Sequence, residues 1–135
     1  MVTIHRASES NLDIVESALP LRITYANMAP DPFLTLSGDG WGSNYTCPWV
    51  LRGPGILIDP EARDELTDEN QITNDDIAFL IGREIIGITS GPDMIDPILH
   101  ITGGISLEVT ADTFVDPWMI RLPDIVIVGT MAPPE

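Results

Sequence analysis

The cleanest alternation of apolar and polar residues runs from Ile105 to Thr110. Ile105, Leu107 and Val109 fall on one side and Ser106, Glu108 and Thr110 on the other. A period of two marks a strand with one buried face. Runs rich in Ile and Thr predict strands over 21–25 and 83–89, and the stretches 33–37 and 98–102 read the same way. Two Pro-Trp segments, from Pro48 and from Pro117, each predict a strand, and the Ile-x-Ile segments that follow them, Ile56–Ile58 and Ile125–Ile127, predict another. Pro54 and Pro123 sit between these strands as turn residues, because proline has no N–H for a central ladder.

Two stretches carry a helix-start pattern instead. Ser10-Asn11-Leu12-Asp13-Ile14 and Thr73-Asn74-Asp75-Asp76-Ile77 each place a hydroxyl at the capping position and an aspartate three residues on, near the positive end of the helix dipole. The first helix is expected to run to Ala18, ended by Pro20. The second is expected to run to Ile81, with Gly82 as its stop. Asp59-Pro60 opens a further short helix ending near Leu66, with proline at the first helical position.

Hairpin register follows from the same patterns. Asp39-Gly40 signals a two-residue loop that puts Trp41 and Tyr45 on the face of Leu34 and Leu36. A two-residue loop at Gly103-Gly104 would oppose Leu107 to His100 and mix the faces. A three-residue loop or bulge is therefore expected there. It pairs Leu99 and Ile101 with Val109 and Leu107 and sets His100 across from Glu108.

The pattern also repeats. Pro48-Trp49-Val50-Leu51-Arg52-Gly53-Pro54-Gly55-Ile56-Leu57-Ile58 and Pro117-Trp118-Met119-Ile120-Arg121-Leu122-Pro123-Asp124-Ile125-Val126-Ile127 both read Pro-Trp-x-x-Arg-x-Pro-x-Ile-x-Ile. Asp31–Gly38 matches Asp96–Gly103, and the two helix starts match each other, in the same order along the chain. Such ordered self-similarity points to duplication. The expected fold is α+β: two pseudo-equivalent halves, 8–58 and 71–129, joined by an acidic connector, 59–70. Each half is a helix followed by four or five mostly antiparallel strands, and the two pack as one compact domain. One half alone would have a thin core and open sheet edges. Two halves meeting across a pseudo-twofold bury both apolar faces, as in a homodimer fused into one chain.

Composition narrows the function classes. The 135 residues hold 21 acidic and 6 basic side chains, a net charge of −15, and no lysine. A surface this negative repels phosphate, which argues against nucleic acid or an anionic membrane as partner. No stretch reaches the roughly 18 apolar residues of a membrane helix, and the first ten residues do not read as a secretory signal. A cytoplasmic protein, monomer or homodimer, is the expectation. One cysteine, Cys47, cannot form an intramolecular disulfide and reads as a small buried residue. No phosphate loop, dinucleotide fingerprint, zinc pattern or hydrolase elbow occurs, so no catalytic residue, metal or cofactor is assigned.

Candidate binding residues are few. Arg52 and Arg121 hold matching repeat positions and read either as anion-binding arginines across the pseudo-axis or, more ordinarily, as partners of nearby carboxylates. Trp49 and Trp118 read as core anchors. Trp41 and Tyr45, in a Gly-rich turn region with no counterpart for Trp41 in the second half, read as a surface-recognition element. His100 reads as a cross-strand partner. Segment 59–76 holds eight carboxylates and one arginine, and its Asp64, Glu65, Asp68 and Glu69 form a candidate docking face for a basic protein.

The set Leu34–Trp41, Cys47–Arg52, Ile81–Ile85, Asp116–Trp118 and Arg121–Pro123 resembles a family of small, acidic, uncharacterised bacterial proteins with two Pro-Trp-x-x-Arg-x-Pro motifs. The resemblance spans the chain from Leu19 onward. It implies a bacterial, cytoplasmic origin and supplies no catalytic residue. The functional expectation is a non-enzymatic protein-binding module, an acidic immunity- or antitoxin-type partner of a basic protein. The alternative is a small-molecule-binding protein or enzyme that uses the cleft between the halves, with Arg52, Arg121 and His100 as its polar groups.

Overall fold

Every strand longer than two residues whose side chains are described presents apolar residues to one side, and those sides meet in a single core. In the computed structural model the described residues are 3–6, 9–28, 33–60, 72–89, 96–110, 118–123 and 125–129. They form strands β1 (Thr3–Arg6), β2 (Leu21–Arg22), β3 (Tyr25–Met28), β4 (Leu34–Gly38), β5 (Trp41–Tyr45), β6 (Trp49–Gly53) and β7 (Ile56–Ile58). Then come β8 (Glu84–Thr89), β9 (Ile98–Ile101), β10 (Ile105–Val109), β11 (Trp118–Leu122) and β12 (Ile125–Val128). The helices are α1 (Glu9–Ala18) and α2 (Asn74–Ile77), the latter continued by a 3-10 turn over Ala78–Leu80. The protein is thus mostly β with short helices, which corrects the α+β expectation. Apolar area concentrates on the strands, and α2 contributes only Ile77 to the interior.

The strands make two six-stranded sheets, ordered β1-β12-β11-β5-β4-β3 and β2-β8-β9-β10-β6-β7. All pairings are antiparallel except β1 with β12, which is parallel. The hairpin β6–β7 does not extend the meander β3–β4–β5 that precedes it. It pairs instead with β10, with Leu51 opposite Leu107 and Trp49 opposite Val109. The hairpin β11–β12 does the converse and pairs with β5, with Ile120 opposite Ser43 and Trp118 opposite Tyr45. Both tryptophans are 1% exposed. A side chain of that size, desolvated in the middle of the core, supplies more apolar burial than any other residue type.

The segment between β2 and β3 ties the sheets together. Ile23 donates to the Arg83 carbonyl (2.8 Å) and accepts from the Gly82 N–H (2.8 Å) beside one sheet, while Thr24 donates to Ser37 O (2.9 Å) in the other. Ile23 itself is fully buried.

Local expectations fared unevenly. The Asp39-Gly40 turn is two residues long, with Gly38 opposite Trp41, and Trp41 and Tyr45 share the buried face of Leu34 and Leu36. The loop at 102–104 has three residues, as the patterning requires, but its pairing is two residues tighter than expected. Ile101 opposes Ile105, Leu99 opposes Leu107 and His100 opposes Ser106, not Glu108. Gly103 and Gly104 both take positive φ, 90° and 75°, which lets three residues close the turn. Thr73 caps α2 as expected: the Asp76 carboxylate accepts its N–H (2.8 Å) and its hydroxyl (3.2 Å). Gly82, at φ 94°, ends the turn that follows. Helix α1 begins at Glu9, so Ser10 is inside the helix and does not cap it. Beyond Pro60, the expected helix over 60–66 lies outside the described residues.

Close approach fixes Gly38. A Cβ there would overlap the Arg22 carbonyl and the Trp41 indole. Gly38→Ala is expected to lower stability by about 1–3 kcal/mol, since neither the backbone nor a buried ring yields easily. Chemical denaturation checks this, and an unchanged midpoint would mean that the β2–β4 contact is loose.

Candidate functional site

The outward faces of the two sheets carry most of the polar side chains singled out by the sequence. On the sheet ending in β7, one row across the strands reads Gly87, His100, Ser106, Arg52, Leu57. Arg52 Nε donates to Glu108 Oε2 at 2.8 Å, with the arginine side chain 54% exposed. His100 Nε2 lies 3.0 Å from Thr89 Oγ1. Ser106 stands between His100 and Arg52, yet among the described residues no hydrogen bond joins it to the imidazole. A serine without that bond lacks the base that would make it a nucleophile.

Arg121 is on the outward face of the other sheet, lying over Gly42, whose missing side chain leaves it room. Among the described residues it makes no ion pair or hydrogen bond. Arg52 has Glu108 on the neighbouring strand, two residues along from its direct partner Ser106, whereas the residue in that place for Arg121 is the uncharged Asn44, which accepts from Thr35 Oγ1 (3.0 Å). Arg52 and Arg121 therefore share no surface. The paired anion site expected across the pseudo-axis is not assembled, because strand alternation turns both side chains away from the core on different sheets.

Trp41 is 3% exposed, and its Nε1 donates to the Arg22 carbonyl (2.9 Å). Tyr45 is fully buried. The surface-recognition reading of these two residues is thus corrected: alternation from Leu34 and Leu36 carries both rings inward. The Tyr45 hydroxyl is buried, with no hydrogen-bond partner among the described residues. The Ser43 hydroxyl, on the same face, gives its own proton to the Leu36 carbonyl (3.2 Å). Burial pushes the Tyr45 phenol well above its ordinary pKa, with the Cys47 thiol adding slightly and Ser43 opposing. Cys47 is buried. Asp64, Glu65, Asp68 and Glu69 lie outside the described residues.

One concavity does lie between segments from both ends of the chain. A half-open groove of about 460 Å³ is bounded by Leu21 and Arg22, by Asp39 and Trp41, and by Leu122 and Pro123 of the β11–β12 turn. Its floor is apolar, with Arg22 and Asp39 at the rim. Among the described residues neither of these two makes an ion pair. At the corresponding loop of the other sheet, the Arg83 side chain fills the space, donating to Phe79 O (3.1 Å) and Thr102 O (3.2 Å). Arg22 and Asp39 were not singled out from sequence. An isolated arginine in a two-residue strand and an aspartate in a turn carry no signal until the Pro123 turn, far along the chain, is brought beside them.

Among the described residues no group of three or more His, Cys, Asp or Glu side chains is placed to hold a metal ion, and no helix is long and apolar enough to cross a membrane. No protein-family model, curated protein or solved structure matches the chain.

Two outcomes follow. Tyr45→Phe removes a hydroxyl that has no partner, so stability should be unchanged or higher by about 1 kcal/mol at neutral pH. Because the folded phenol holds its proton above the unfolded pKa of about 10, the wild type should lose stability as pH rises past that value, and Tyr45→Phe should lose less. Denaturation at neutral and alkaline pH reads both; a variant as alkali-sensitive as the wild type would refute the assignment. For Arg52 and Glu108, a double-mutant cycle to alanine should give a coupling below about 1 kcal/mol, as for other exposed ion pairs, and added salt should shrink it.

Proposed function

We propose that the chain is a duplicated module that acts as a non-enzymatic binding protein, with a basic protein as its partner, in the manner of an acidic immunity or antitoxin protein. The observation that carries this reading is the charge: −15 on 135 residues, with no lysine. Its described carboxylates at Asp13, Glu16, Asp39, Asp75, Asp76 and Asp96 are exposed. A field of that sign steers a cationic surface into encounter and repels nucleic acid. The like strand orders β12-β11-β5-β4-β3 and β7-β6-β10-β9-β8 support the duplication.

A second reading has its own observation. The groove beside Arg22, Asp39 and Trp41 is lined from both halves and suits a small polar molecule with an apolar body. Arg52, Arg121 and His100, the polar groups expected for such a cleft, are not in it.

The test is affinity capture on the immobilised chain, followed by reconstitution with the purified captured protein. A basic partner should bind one-to-one, with an association rate that falls steeply with salt, and any toxic activity of that partner should be neutralised by the chain. Capture of no basic protein, or a rate indifferent to salt, would remove the reading. A metabolite that raises the melting temperature of the wild type but not of an Arg22→Ala variant would favour the groove instead.

A further inference from the structure

The two sheets differ at one place that bears on how a partner is held. In the order β12-β11-β5-β4-β3, the outer strand β12 is covered by β1, which pairs with it in parallel from Thr3 opposite Ile125 to Arg6 opposite Val128. In the order β7-β6-β10-β9-β8, the strand in the place of β12 is β7, and among the described residues nothing pairs with its far side. The two hairpins have the same register. Gly53 opposes Ile56 across a two-residue turn, as Leu122 opposes Ile125. The pair that flanks such a turn exchanges its hydrogen bonds, so the next residue, Leu57 like Val126, aims its N–H and C=O away from the hairpin. On β12 that residue faces Ile4 of β1. On β7 both groups are without a partner among the described residues, and Leu57 is 65% exposed between the half-buried Ile56 and Ile58. Within Ile56–Ile58 no charge or proline interrupts this edge; Asp59 and Pro60, which follow directly, set its end.

We propose that the free edge of β7 takes up an extended, basic segment of the partner protein as an added parallel strand, as β12 takes up β1. The inference rests on the protein-binding reading above and says where and how that partner docks. The chain's own covering strand sets the chemistry: Thr3-Ile4-His5-Arg6 alternates an apolar residue with polar ones, holds an arginine and a histidine, and has no carboxylate. Charge selects against a second copy as occupant, because it would bring two chains of −15 together. Main-chain bonds to Leu57 give the added strand its register, and contact with Ile56, Leu57 and Ile58 gives it apolar burial.

The probe is a labelled, C-terminally amidated peptide with the sequence of residues 1–8, added to the full chain at low ionic strength. Saturable binding is expected. Amide shifts should be confined to the neighbourhood of Ile56–Ile58, and hydrogen exchange at the Leu57 amide should slow. Leu57→Pro removes the outward N–H without touching the bonds to β6 and should weaken binding about tenfold or more. Leu57→Lys, which keeps the N–H and repels a basic strand, should weaken it as well and guards against a folding defect in the proline variant.

The proposal is overturned if the peptide does not bind, or if the perturbed amides are those of Val126 and Val128, which would mean that it displaces β1. A concentration-dependent dimer abolished by Leu57→Pro would also overturn it, by making a second copy the occupant. A basic partner that is captured equally well by the wild type and by Leu57→Pro leaves the binding reading standing and overturns only the docking edge. Peptide binding at Leu57 with no basic partner captured removes the reading itself, and with it the occupant proposed here.

Discussion

Everything else in the architecture depends on the exchange of the two tryptophan-bearing hairpins. Each meander, β3–β4–β5 and β8–β9–β10, ends in a strand whose free side is filled by a hairpin from the far part of the chain. Trp49 and Trp118 come into the core on those hairpins, each next to an apolar or aromatic residue of the receiving meander. Neither sheet is complete without the other part of the chain. The meanders and hairpins are therefore expected to form together, since neither buries its inner face alone. The cost is that these contacts are far apart in sequence, and long-range strand pairing of this kind folds slowly.

The exchange also decides where polar chemistry can collect. With both inner faces committed to the core, every arginine and histidine on a central strand must point outward. Arg52 and Arg121 then lie on the outward faces of different sheets, and neither lines the groove between the hairpin turns. What does reach that space is the β2 strand and the β4–β5 turn, with Arg22 and Asp39. The two ends of the molecule treat this space differently. Arg83 fills one with bonds to backbone carbonyls, and the other remains a groove.

Tyr45 and Ser43 show the limit of perfect packing in the shared interior. Both stand on β5 on a face otherwise occupied by apolar side chains, opposite the incoming β11. The serine is accommodated by a carbonyl on β4, whereas the phenol has no hydrogen bond among the described residues. A buried polar group left in this way costs on the order of 1–3 kcal/mol. The rest of the core, which includes three tryptophans, is large enough to bear that cost.

Sequence by itself determined the local grammar. Period-two patterning located the strands; Asp39-Gly40 and Gly103-Gly104 located hairpin turns; Thr73 with Asp76 located a helix cap; and the two Pro-Trp motifs located two strands that carry buried tryptophans. These signals come from backbone preferences and from the alternation of side chains, which act over a few residues. Tertiary structure alone decided that the hairpins trade sheets, that Glu108 pairs with Arg52 and not with His100, and that β12 is covered while β7, among the described residues, is not. Each of those depends on which strand lies beside which. Neighbours in a sheet are chosen by the fit of whole faces across long stretches of chain, and no short pattern of residues encodes that choice.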